Sequence, residues 1–246
     1  MHELITLRRE RVFMLLSGIF LGTLGIINIL GLSRFIDASI TFGDWTIPMI
    51  LPLGVLPYPI TFLCTDIISE FYGKQRANRV VWIGLIINLW ILLILWLGGL
   101  LPPHVPLDPN THLPALNHPD YAFFKIRSFT FGTVIGSMLA YLAAQFLDVH
   151  LFHFWKNLTK GKHLWLRNNG STLISQLVDT IIVISVAYYF TQALPADTAL
   201  PTLILASYTF KVMIALLDTI PFYLIVFGLR RYFNETPPVT FEIHYG

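Results

Sequence analysis

Six apolar stretches, each close to the length of a bilayer-spanning helix, recur along this 246-residue chain. A hydrocarbon core about 30 Å thick requires about 20 apolar residues per helix, because each residue rises about 1.5 Å. Only 12% of the residues are charged, too few to cover a water-soluble fold, for which about 25% is typical. The sequence therefore predicts one all-α membrane domain of six transmembrane helices over residues 1–246. The predicted spans are 12–32, 47–71, 80–101, 129–149, 171–190 and 200–229.

The lysines and arginines outside the predicted spans are distributed unevenly between the two sides of the membrane. With six crossings, twelve fall on one side, namely Arg8, Arg9, Arg11, Lys74, Arg76, Arg79, Lys156, Lys160, Lys162, Arg167, Arg230 and Arg231. The other side holds only Arg34, Lys125 and Arg127. Cytoplasmic loops carry the excess of positive charge in membrane proteins. Both termini are therefore predicted to lie in the cytoplasm, with the chain in the cell (inner) membrane.

Several function classes have no basis in the sequence. No basic block suited to nucleic acid is present, and Cys64 is the only cysteine, so an intrachain disulfide is impossible. The chain lacks a Walker motif, a serine elbow and zinc-type ligand spacing. We therefore predict a protein that is not an enzyme, binds no cofactor or metal, and contacts the lipid bilayer and a small molecule.

Small residues and prolines indicate how the spans pack. Gly18 and Gly22 on span 1 are four apart, and Gly136 and Ala140 belong to a longer row of small residues on span 4, so close helix approach is predicted at both. The 52–59 segment holds three prolines and one glycine, which predicts that span 2 is kinked or unwound there. Broken spans often line a cavity.

Eight polar residues fall within the predicted spans, where each acid or lysine costs about 2.5 to 3.5 kcal/mol near the bilayer centre. Within each helix their spacing of three, four or seven places them on one face. They are therefore predicted to face a shared interior and to bind the substrate. They are Asp66, Glu70, Gln145, Asp148, Gln176, Asp179, Lys211 and Asp218.

A structural alternative is that these polar groups only satisfy one another. Lys211 alone cannot neutralise five carboxylates, and the acids late in spans 2 and 4 can instead reach the cytoplasmic headgroups. Asp218 lies seven residues from Lys211, about 10 Å along a helix, which is too far for an ideal pair. Asp179 is therefore the predicted partner of Lys211.

Four segments together resemble one family of membrane proteins over nearly the whole chain. They are 65–74 (TDIISEFYGK), 145–149 (QFLDV), 162–172 (KHLWLRNNGST) and 175–180 (SQLVDT). The run from 165 to 172 is the most specific of them. In this order, they are similar to the queuosine precursor transporter family.

The resemblance implies uptake of a 7-deazaguanine base, such as preQ0, preQ1 or queuine, for a modified nucleoside in tRNA. It also implies a fold similar to the substrate-binding subunits of energy-coupling-factor vitamin importers. Asn168 and Asn169, at the start of span 5, are added to the candidate substrate-binding residues, although both could simply cap the helix.

Three interpretations of the chain stay open at this point. It is a self-sufficient carrier, the substrate-binding subunit of an energised importer, or a membrane enzyme that uses the same acids. We favour the carrier, and a homodimer is possible. Neither the preferred precursor nor the energy source follows from the sequence.

Overall fold

A computed structural model describes residues 2–30, 34–37, 40–42, 45–47, 50–102, 107–109, 112, 114–190 and 199–234. Long helices dominate this part of the chain, as the composition predicts. They are α1 (His2–Leu30), α2 (Tyr58–Leu100), α3 (Asp120–Leu158), α4 (Leu164–Phe190) and α5 (Leu200–Tyr232). The end of the first predicted span, residues 31–32, lies outside the described residues.

The segment between α1 and α2 differs from the prediction that span 2 begins at residue 47. Short antiparallel strand pairs and a 3₁₀-helix (Leu53–Val55) precede α2, which begins only at Tyr58. Proline has no backbone N–H and disfavours a helical residue before it, so Pro52 and Pro57 delay the helix, while Pro59 is tolerated in its first turn. The strands are β1 (Phe35–Asp37), β2 (Ile40–Phe42), β3 (Trp45–Ile47) and β4 (Ile50–Pro52), paired β1 with β4 and β2 with β3.

Gly73 divides α2 into two arms. Its φ of 81° and ψ of 169° are not helical, and a residue with a Cβ rarely adopts such a positive φ. We call residues 58–72 the first arm and residues 74–100 the second arm.

The first arm runs beside α3 in the same direction. The amide of Gln145 contacts the Thr61 hydroxyl near the start of the arm. Near its end, the ammonium of Lys156 contacts the Glu70 carboxylate. Residue numbers therefore rise together along both helices.

The second arm runs beside α3 in the opposite direction. Tyr141 donates a hydrogen bond to the carbonyl of Val81, whereas Gly98 lies against the ring of Phe123. As residue numbers rise along this arm, the numbers of the α3 residues that it contacts decrease. The chain therefore turns back at Gly73, and α2 is a helical hairpin that corresponds to predicted spans 2 and 3.

Four described segments are long and apolar enough to cross a membrane. They are Ile5–Ile27, Leu53–Leu100, Leu164–Val186 and Leu200–Tyr232. As a straight rod, the 43 residues of α2 would measure about 65 Å, roughly twice the hydrocarbon thickness, which the turn at Gly73 avoids. The chain is therefore a multi-pass helical membrane protein.

The distribution of polarity is inverted relative to a soluble protein. Large apolar side chains such as Trp82, Trp90, Leu217 and Phe227 lie on the outside, each at least half exposed. The interior between α2, α3 and α4 is instead rich in buried hydroxyl, amide and carboxyl groups. An apolar exterior around a polar interior is expected for helices that face lipid.

The predicted close packing is confirmed on α3, whereas the glycine pair on α1 meets no described helix of this chain. A Cβ added at Gly136 would collide with the side chain of Val186, so α3 and α4 approach closely there, and Ala140 is fully buried. At Gly18 and Gly22, no atom of the described residues lies within 4 Å of an added Cβ. Spacing alone could not show which glycine row has a neighbouring helix.

Candidate functional site

Glu70 forms an ion-pair cluster at one end of the bundle, away from the other candidate acids. Its carboxylate accepts hydrogen bonds from Lys156 (2.9 Å), Arg167 (2.6 Å) and Arg230 (2.9 Å). The four residues come from α2, α3, α4 and α5, so the cluster ties these helices together. Arg167 is 1% exposed and depends on Glu70 for neutralisation. These contacts favour a structural role for Glu70 over the predicted substrate contact.

Asp179 pairs with Lys211, which confirms the predicted partnership. The Nζ of Lys211 lies 2.5 Å from Oδ2 of Asp179. The hydroxyl of Tyr58 donates to Oδ1 of Asp179 at 2.7 Å, and Lys211 Nζ lies 5.2 Å from the centre of the Tyr58 ring. Both carboxylate oxygens of Asp179 therefore already have donors, and the carboxylate positions Tyr58 and Lys211.

Asp66 on α2 and Asp148 on α3 form a buried carboxyl pair. The two side chains are 1% and 0% exposed, and both lie against the same turn of α4. Around them α4 supplies hydroxyls: Thr172 lies 3.4 Å from Oδ2 of Asp66, and Ser175 donates to Oδ1 of Asp148 at 3.1 Å. The three helices thus share one polar interior, as their one-face spacing predicts.

Gln145 is buried against the first arm rather than in a cavity. Its Oε1 accepts from Thr65 at 3.3 Å, and its Nε2 donates to Thr61 at 3.4 Å. Both contacts join α3 to α2. The amide therefore bridges helices, the structural alternative that the sequence left open.

The alternative that Asn168 and Asn169 cap the helix is excluded, because α4 begins at Leu164 and includes both residues. Asn169 exchanges hydrogen bonds with the hydroxyl of Thr219 at 2.8 and 3.0 Å and joins α4 to α5. Asn168 is 3% exposed. Neither residue lines the recess described next.

A partly open recess lies where the first arm of α2 begins, between that arm, α4 and α5. It holds about 340 Å³ of empty space, some of it continuous with the surroundings. Its polar lining comes from Thr172, Gln176, Lys211 and Asp218, and its aromatic lining from Tyr58, Phe62 and Phe210; Val55, Pro59, Ile214 and Ala215 complete it.

Two acceptors in the recess are available to a ligand. Oε1 of Gln176 has no hydrogen-bond partner among the described residues, although the side chain is only 5% exposed. No ion pair to Asp218 is found in the part of the chain that the structure describes. A buried acceptor without a donor is costly, so the site favours a molecule rich in N–H groups.

The recess is separated in depth from the Glu70 cluster. Thr172 and Gln176, which line the recess, follow Arg167 by five and nine residues on α4, about 8 and 14 Å along the helix axis. The Glu70 cluster thus lies at one end of the bundle, and the recess lies further along α4 from it.

The recess contains some of the residues predicted from the sequence and others that were not predicted. Gln176, Lys211 and Asp218 line it, and Asp179 positions two of its residues. The sequence did not single out Tyr58, Phe62 and Phe210, because aromatic residues are abundant in membrane helices. Tyr58 had one usable signal, its position between two prolines at the break in span 2.

The core of the chain matches a known transporter family. The model of the family described as "Putative vitamin uptake transporter" matches residues 52–225, a range that contains all of the candidate residues. No solved structure gives a significant match.

Curated relatives are similar over about two thirds of their length and of this chain. A "Probable queuosine precursor transporter" of Bacillus subtilis (strain 168) is 33% identical over 68% of this chain and 67% of its own. The "Queuosine precursor transporter" of Escherichia coli (strain K12) is 26% identical over 69% and 70%. By the family match and these identities, the chain belongs to the family of vitamin uptake transporters.

Proposed function

We propose that this chain imports a queuosine precursor, a 7-deazaguanine base, across the cell membrane, and that it does so without a partner subunit. The observation that carries the proposal is the recess, which combines unpaired acceptors with aromatic rings inside a multi-pass helical bundle. The names of the relatives support the same substrate class.

The recess suits the edge of a guanine-like ring. Such an edge presents adjacent N–H donors, and one carboxylate accepts two of them, as acids do in base recognition. Asp218 is the carboxylate in position for this, and Oε1 of Gln176 supplies a further acceptor. Lys211 has three donors and gives one to Asp179, so it can also donate to a ring carbonyl. Tyr58 and Phe62 offer faces on which the ring packs.

The proposed architecture has six crossings with both termini in the cytoplasm. The turn at Gly73 and the twelve-to-three distribution of Lys and Arg support it. In a Cys64→Ala background, a single cysteine at Asn117 is expected to react with an impermeant maleimide added outside. One at Asn157 should react only after permeabilisation, and the reverse pattern would refute this orientation.

Removing the two free acceptors of the recess is expected to lower uptake strongly. Asp218→Asn and Gln176→Leu each delete an acceptor. A lost hydrogen bond to a charged group such as Asp218 costs about 1.5 to 3 kcal/mol, or roughly 10- to 150-fold in affinity, and one to the neutral amide of Gln176 costs about 0.5 to 1.5 kcal/mol, or roughly 2- to 13-fold. Initial uptake of labelled base, normalised to membrane abundance, measures the effect. Gln75→Leu, the same change at an exposed glutamine, is the control and should leave uptake near wild type.

Competition in whole cells tests the substrate class. Cells that lack their own precursor transporter and express this chain are expected to take up labelled 7-deazaguanine. Excess unlabelled preQ0, preQ1 or queuine should block that uptake, while a vitamin of unrelated shape should not. Uptake that is blocked only by the unrelated vitamin would refute the substrate assignment.

A further inference from the structure

Asp66 and Asp148 are both buried, and each lies against the same turn of α4, Asp66 at Thr172 and Asp148 at Ser175. An ionised carboxylate is only an acceptor, so two neighbouring buried carboxyl groups can satisfy each other only when one of them carries a hydrogen. Oδ1 of Asp66 and Oδ2 of Asp148 are buried and receive no hydrogen bond from any described residue. A proton on one of the two carboxyl groups supplies the donor that the pair lacks.

The groups that face the pair do not replace this proton. Among the described residues, α4 supplies the hydroxyls of Ser171, Thr172 and Ser175, and α5 supplies Asp218, a third acid that acts on Asp66 through its charge. The interior cations are engaged elsewhere in the described structure, Lys211 with Asp179 and Arg167 with Glu70. Two adjacent buried carboxylates without a cation cannot both remain ionised at modest cost.

The pair is connected to the recess through two residues. Thr172 lines the recess and also contacts Oδ2 of Asp66 at 3.4 Å. Asp218 lines the recess and interacts electrostatically with Asp66. A ligand that neutralises or moves Asp218 therefore changes how strongly the pair holds its proton. The unpartnered Oε1 of Gln176 in the same recess is independent evidence that a ligand belongs there.

We propose that the Asp66 and Asp148 pair is a proton-binding site that couples entry of the base to entry of one proton. This inference rests on the proposed function. The pair takes up a proton when it faces the outside, as a carboxylate oxygen forms an O–H bond. It returns that proton to cytoplasmic water when the base leaves.

Transport by the purified chain in liposomes tests the coupling. With the membrane potential clamped at zero and the outside more acidic by one pH unit, one proton per base is expected to give up to about tenfold accumulation of labelled base. A protonophore should abolish it, and a pH dye in the lumen should report acidification when base is added. Two results would contradict the proton site: accumulation driven by a sodium gradient, or counterflow that does not depend on the pH gradient. Neither result would contradict the proposed function. Failure of counterflow itself would reject both.

Substitutions at Asp66 and Asp148 test whether the transported proton binds to this pair. Asp148→Asn and Asp66→Asn are expected to lose pH-driven accumulation, and whatever base flux remains should carry no protons. Infrared difference spectra detect the protonated carboxyl group even in an inactive variant. The wild type should show the C=O band of a protonated buried carboxyl, and Asp148→Asn should lack it. Glu10→Gln, in an exposed ion pair with Arg76, is the control. Proton-carrying flux or an unchanged carboxyl band in both variants would overturn the assignment.

Discussion

Glu70→Gln is expected to remove most of the folded protein from the membrane. The substitution keeps the size of the side chain but removes the charge that neutralises Arg167, which is buried, together with Lys156 and Arg230. Breaking a buried ion pair by removing one partner costs about 3 to 5 kcal/mol, a large part of the stability of a typical domain. Membrane abundance and the thermal midpoint of the detergent-solubilised protein measure the loss.

A matched control lies at the surface. Glu10 pairs with Arg76 at 2.7 Å, but the two side chains are 46% and 40% exposed. Exposed pairs contribute about 0 to 1 kcal/mol, so Glu10→Gln should change abundance and midpoint little. Equal effects of the two substitutions would show that the Glu70 cluster is not what joins the helices.

Lys211→Met is expected to reduce both abundance and uptake. Without the ammonium, Asp179 becomes an unpaired carboxylate inside the bundle, and Tyr58 loses the charged partner over its ring. Asp179→Asn leaves Lys211 uncompensated in the same way. Combining the two changes removes both charges, so abundance should return toward wild type, with a coupling energy of about 1 to 3 kcal/mol.

Uptake distinguishes a structural pair from part of a binding site. Because Lys211 lines the recess and loses its donors in Lys211→Met, the double variant should regain abundance without regaining uptake. Labelled-base uptake per unit of membrane protein is measured for both singles and the double. Full recovery of uptake would make the pair merely structural, and additive losses of abundance would mean that the two residues do not interact.

The sequence was most informative where a single physical requirement dominated. The length of the apolar stretches set the helical membrane architecture, and the cost of charge in lipid identified the interior acids. The partnership of Lys211 with Asp179 followed from eliminating Asp218 by its distance along the same helix. In each case one quantity, a length or a transfer energy, was large enough to determine the structural prediction.

Other features depended on contacts between distant segments and could not be predicted. Glu70 was grouped with the interior acids, yet arginines 97 and 160 residues further along the chain neutralise it. The hairpin of α2 depends on one positive φ at Gly73. Glycine permits this conformation, but its presence in the sequence does not show that the conformation is adopted. The recess itself exists only because α4 and α5 pack beside the broken start of α2.

Counterflow into liposomes that contain only the purified chain tests the central claim most directly. Vesicles loaded with unlabelled 7-deazaguanine should transiently concentrate the labelled base from outside, and Asp218→Asn vesicles should do so at least tenfold more slowly at equal protein content. If the pure chain binds the base but moves none of it, it is a binding subunit that needs a partner. If it neither binds nor moves the base, the proposed function is wrong.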